Sequence, residues 1–134
     1  MIKLRTELNK ILKEIHPNVT VDGKSMSRVH FQGALDTTPF PYIVYDLPQS
    51  YLADDQETFN LDVDVWDKPS DGNTTELETL CSSIWKVLNR YYHIDDDIQF
   101  TIYRASRHTV DDDDRTIKRR LLTFNIKYHD RRVN

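Results

Sequence analysis

Three glycines in 134 residues leave little material for loops that wrap phosphate with bare backbone, and neither a P-loop nor a dinucleotide-binding glycine pattern occurs. The single cysteine, Cys81, excludes an internal disulfide framework. It falls on the apolar stripe of an expected helix, where a small thiol packs rather than reacts. No apolar run approaches the ~20 residues that a membrane-crossing helix needs. The opening Met1–Glu7 also lacks the apolar core of a secretion signal. The expectation is therefore a protein made in the cytoplasm and kept in solution, with no membrane partner. The motifs of hydrolytic chemistry are missing as well. There is no GxSxG elbow and no HExxH pair, and the five histidines, His16, His30, His93, His108 and His129, show no zinc-ligand spacing.

Charge is plentiful but unevenly distributed. The chain carries a net −4, yet residues 36–114 hold 18 acidic and 5 basic side chains, while residues 115–134 hold 7 basic and 1 acidic. Such asymmetry suits oppositely charged surfaces that meet head to tail in neighbouring copies, unless folding brings the two zones together and cancels them. The basic residues Arg115, Lys118, Arg119, Arg120, Lys127, Arg131 and Arg132 have few aromatics among them. An ion-pairing surface explains them better than nucleic-acid binding. The runs Asp95–Asp97 and Asp111–Asp114 lack the turn glycine and closing glutamate of a calcium loop. No metal, cofactor or catalytic residue is expected.

Patterned segments come next. Leu4, Leu8, Ile11, Leu12 and Ile15 recur at helical spacing until His16-Pro17 ends the helix. Val19–Val21 and Arg28–Phe31 suggest short extended pieces around an Asp22-Gly23 turn, within a stretch, 16–41, read mainly as flexible loop. Tyr42–Tyr45 reads as a short strand and 49–57 as an acidic connection. In Phe59–Trp66 every second residue is apolar: Phe59, Leu61, Val63 and Val65 oppose Asn60, Asp62, Asp64 and Trp66. Asn73 or Thr74 caps a second helix with the stripe Leu77, Leu80, Cys81, Ile84, Leu88, Tyr91 and Tyr92. Ile98–Tyr103 and Leu122–Tyr128 alternate again and form a long hairpin around a flexible loop at 105–116. These segments predict one α+β domain over residues 1–134, with a mainly antiparallel sheet of four or five strands and two helices packed on one face.

Half of such a sheet is left without helix, so function is expected in surfaces. Tyr51, Leu52, Trp66 and Tyr103 are the apolar candidates for a contact surface, and open sheet edges add a second route to partners.

The run Pro39–Tyr45, the strand ending Val65-Trp66-Asp67, the capped helix to Leu88 and the closing hairpin together resemble the tail completion proteins of long non-contractile-tailed bacteriophages. These are also called tail terminators or tail-to-head joining proteins. The likeness spans roughly residues 1–130 and lies in segment order and length rather than in one motif. The resemblance implies a structural virion protein without catalytic residues. It implies a six-fold ring that caps the head-proximal end of the tail tube, stops tube polymerisation and meets both the tube protein and a head-completion protein. In that setting Tyr51, Leu52, Trp66, Tyr103, Arg119 and Arg120 are expected at the subunit or tube interface. Asp54, Asp55, Glu57 and Asp111, Asp112, Asp113, Asp114 are expected on loops lining a lumen through which DNA passes without sticking. The monomer is expected to stay free until it docks on a tube end. The competing class is a small adaptor that binds a peptide along its sheet edge; a small hydrolase is a weaker third.

Overall fold

The fold, seen in a computed structural model that describes residues 1–132, begins with helix α1 (Ile2–Ile15). Its apolar spacing buries Leu4, Leu8, Ile11 and Leu12 on one face, as the sequence predicts. Three short strands follow, β1 (Val19–Val21), β2 (Lys24–Met26) and β3 (Val29–Phe31). Asp22 and Gly23, both at positive φ, turn β1 into β2. Residues 16–41 are thus not one long loop. The expected extended pieces at Val19–Val21 and Arg28–Phe31 are β1 and β3, while β2, polar and only three residues long, carries no pattern to read from sequence.

The two longest strands of the first half are β4 (Tyr42–Ala53) and β5 (Gln56–Asp67). They pair across a two-residue turn, with Asp54 and Asp55 both at positive φ. The expected acidic connection at 49–57 is therefore a hairpin. A bulge between Asp46 and Gln49 accommodates Pro48 and shifts the register there. Helix α2 (Thr75–Leu88) starts where the Asn73 side chain accepts the Thr75 N–H at 2.9 Å. It ends earlier than its stripe suggests: Asn89 is extended and Arg90 has positive φ. Tyr91 stacks on Phe100, but Tyr92 lies exposed in β6 (Tyr92–Ile94). Strands β7 (Ile98–Val110) and β8 (Lys118–Asp130) form the closing hairpin. Regular strand reaches Val110, so the loop is 111–117 rather than 105–116.

The main sheet has six strands in the order β3-β4-β5-β8-β7-β6, and β1-β2 is a separate ribbon. All its pairings are antiparallel except β3 with β4. The sheet is strongly curled. The α+β class stands; the sheet holds six strands rather than four or five.

A single cluster holds the molecule together. The four buried α1 residues and α2's Leu77, Leu80, Cys81, Ile84 and Leu88 meet the inward residues of β4, β5, β7 and β8. Burying each large apolar side chain contributes about 1.5–3 kcal/mol before entropy is subtracted. Cys81 is fully buried, and burial pushes its thiol up to about 12. Both helices serve this one face, which leaves the opposite face of the sheet without a helix.

Candidate functional site

Cross-strand register decides what the uncovered face presents. Tyr42 pairs with Trp66 and Trp66 with Arg119, so these three side chains stand in one row. Tyr42 stacks on Trp66 with ring centroids 5.8 Å apart, and the Arg119 guanidinium lies 3.8 Å from the Trp66 ring centre. Arg119 also donates to Asp64 at 2.5 Å and lies 3.6 Å from Asp112 of the β7–β8 loop. The next rows carry Val44–Asp64–Leu121 and Asp46–Asp62–Thr123. Burial, and then the nearby Asp46 and Asp64 carboxylates, hold the Asp62 carboxyl above the ordinary carboxylate range. The bare face is therefore anionic across β4 and β5, with one built-in counter-charge at Arg119.

This arrangement divides the residues singled out from sequence. Trp66 is not available as an exposed anchor, because Tyr42 and Arg119 cover it. Tyr51, Leu52 and Tyr103 are exposed, Leu52 to 74%. Tyr51 and Tyr103 stand near the far end of the sheet from Trp66, on the two outer long strands, so the four do not form one cluster. Arg119 and Arg120 point to opposite faces, as neighbours in a strand must. Arg120 donates to Glu78 of α2 at 2.7 Å and clamps that helix to β8.

The acidic loops are likewise apart. Asp54 and Asp55 form the β4–β5 turn, with Glu57 just inside β5. Asp111–Asp114 lie beyond Val110, at the opposite end of the sheet. The eleven-residue β5 ladder separating the two groups implies about 35 Å between them. Asp112 faces Arg119, and Asp114 lies 3.9 Å from Lys68 while accepting from Thr116, so this loop is partly neutralised from within.

Sequence spacing missed one grouping, which only tertiary structure assembles. His93 of β6 lies between Glu7 of α1, 3.7 Å from Nδ1, and Asp95 of the β6–β7 turn, 2.8 Å from Nε2. Among the described residues these three are the one set of histidine and carboxylate groups close enough to consider for a metal ion. Each carboxylate lies nearest a different imidazole nitrogen, so the ring bridges the two acids, and one ligand atom of each residue lies within 4.8 Å of the other two. Its physical effect is to tie the short β6 edge to α1.

The margins of the sheet are the other feature. β3 pairs only with Ile43–Tyr45 of β4, and β6 only with Gln99–Thr101 of β7. Gln49–Ala53 and Arg104–Val110 therefore have no strand neighbour on their outer sides among the described residues. None of the described helices is long and apolar enough to cross a membrane. Sequence comparison finds no protein family that matches this chain and no curated protein that matches it significantly.

Proposed function

We propose that this protein is a structural subunit of a phage tail. In this reading six copies form a ring on the head-proximal end of the tail tube, end its polymerisation and join it to the capsid through a head-completion protein. The observation that carries the reading is the two-sided sheet: one face is packed with helices, and the other carries Asp46, Asp62 and Asp64 beside the partly buried Tyr42, Val44, Trp66 and Leu121. A face of that kind suits a lumen through which DNA passes. Binding to phosphate needs lysine and arginine, and the one arginine in its acidic rows is already paired with Asp64. In this reading the acidic sheet face lines the lumen together with the Asp54–Glu57 and Asp111–Asp114 loops at its two ends. Catalysis plays no part in the proposal.

The fold sets acidic β5 beside basic β8, and Arg119 and Arg120 bond to Asp64 and Glu78, so the charge zones of the sequence partly cancel within one copy. The two unpaired sheet margins are what support a ring, because a heterologous contact between them closes when its rotation permits. The exposed Tyr51 and Leu52 beside an unpaired strand also suit the adaptor reading, in which a foreign peptide adds to the sheet. Disruption of the gene in its phage separates the two. Free capsids together with overlong or unjoined tails support the tail reading. Normal particles that lack this protein altogether overturn it.

A further inference from the structure

We infer that copies of this chain join by pairing the free half of β4 in one copy with the free half of β7 in the next, so that their sheets run on as one. The inference deepens the ring reading by naming its contact, and it rests on that reading only for closure of the ring.

The sheet margins are stepped. On one side β3 covers β4 through Tyr45 and leaves Gln49–Ala53 open; all five of these residues are exposed. On the other side β6 covers β7 through Thr101, the Ile102 N–H reaches Tyr91, and Arg104–Val110 is left open. The two open stretches lie at opposite ends of the sheet. Tyr51 shares a row with Thr58, Lys127 and Thr101, whereas Val110 shares one with Arg119, Trp66 and Tyr42. A neighbour displaced along the strand direction therefore fits its β7 above the first copy's β3. The first copy's β4 then fits below the neighbour's β6. Strand sense agrees as well. β4, β5, β8 and β7 alternate in direction, so β4 of one copy meets β7 of the next antiparallel, as in the rest of the sheet.

Charge selects this partner over the obvious competitor. The segment 46–57 holds Asp46, Asp54, Asp55 and Glu57 and no basic residue, while 104–110 holds Arg104, Arg107 and His108 and no acidic one. Pairing β4 with another β4 brings carboxylates together, and pairing β7 with β7 brings arginines together. Pairing β4 with β7 sets Asp54 and Asp55 beside Arg104. Each edge thus refuses its own kind.

The required offset also favours closure. Moving from the Tyr51 row to the Ser106 or His108 row, which share its face, is four or six residue steps, or about 13–20 Å, over four strand spacings of about 19 Å. That is a slant of about 40°, within the range that strands adopt when a sheet closes on itself. One such contact is a short ladder, well below the ~1,000 Å² of a stable interface. Isolated pairs are therefore transient, and a closed ring, where every copy makes two contacts, is the persistent form.

Disulfide trapping tests the pairing in purified full-length protein, since buried Cys81 gives little background. Tyr51→Cys, on the bare face, is mixed with Ser106→Cys, His108→Cys or Val110→Cys, the β7 positions that share that face, and oxidised; facing residues in an antiparallel pair are close enough to bridge. Covalent dimers at least tenfold above either variant alone, for one of the three mixtures, are expected. Tyr51→Cys cross-linking to itself as fast as in any mixture overturns the pairing, as does the absence of cross-linking in all three mixtures. Asp54→Arg with Asp55→Arg should abolish the trapped dimer, and Arg104→Glu in the partner should restore it; failure of that rescue also counts against the pairing. Circular dichroism melts establish that each exposed-edge variant is folded. Rings seen by electron microscopy without the cross-link sink the pairing and spare the ring. The cross-link in a protein missing from phage particles spares the pairing and sinks the tail reading.

Discussion

Replacing Arg119 by methionine tests whether that side chain serves the inside of the molecule or a partner. Methionine keeps apolar contact with Trp66 but removes the charge that lies 3.8 Å over the ring and the bond to Asp64 at 2.5 Å. A charge-assisted hydrogen bond contributes about 1.5–3 kcal/mol and a partly exposed cation–π contact about 0.5–1. Both partners of the ion pair are one-fifth exposed, so solvent screening discounts the sum. Arg119→Met should therefore lose about 2 kcal/mol, or about 6–10 °C in Tm for a domain of this size. Most of the loss comes from leaving the Asp64 carboxyl beside Asp62 without its arginine partner. Asp64→Asn should cost much less in the Arg119→Met background than in the parent, giving a coupling of about 1–2 kcal/mol in a double-mutant cycle. Urea melts provide the assay, with the midpoint moving and the slope unchanged. Additivity within about 0.3 kcal/mol refutes the ion pair as a stabilising unit. A loss of self-association without a loss of stability refutes the assignment of Arg119 to the protein's own interior.

Other predictions concern the core and the bare face. Ile84→Ala opens a cavity beneath the centre of α2 and should cost about 2–5 kcal/mol in urea unfolding; less than 1 contradicts its place in the core. Asp62 binds its proton more tightly when folded, so its contribution to stability is lost as pH rises from 3.8 through the raised value. Asp62→Asn should then be more stable than the parent at pH 7, by up to about 0.5 kcal/mol, with the gap closing in acid; a gap unchanged at low pH contradicts this. Cys81, with its thiol pushed up to about 12, should react with a thiol reagent only at the rate of unfolding. Rapid labelling of native protein means the α2–sheet seam is open.

The parts of the fold that were legible in the sequence are those whose side chains repeat along one element. Alternation over Phe59–Val65 and Leu122–Tyr128 names the inward residues of β5 and β8, and helical spacing names those of α1 and most of α2. What stayed hidden depends on neighbours in space. The second half of β4 is exposed, contains Pro48 and sets Tyr51 and Leu52 side by side, so it lacks the greasy alternation of a strand; pairing with β5 makes it one. Tyr92 continues the apolar spacing of α2, but Arg90 at positive φ has already turned the chain. The Tyr42–Trp66–Arg119 row exists only once β4, β5 and β8 are in register. Arg119 and Arg120 are both expected at an interface, although strand alternation alone assigns them to opposite faces.

Backbone hydrogen exchange, compared between dilute monomer and concentrated or tube-bound protein, tests most directly whether this sheet is built to be continued by its own copies. Slowed exchange confined to the amides of 49–53 and 104–110, rising together with concentration, is the predicted result. Unchanged exchange at both stretches while the helices or the bare face become protected contradicts it.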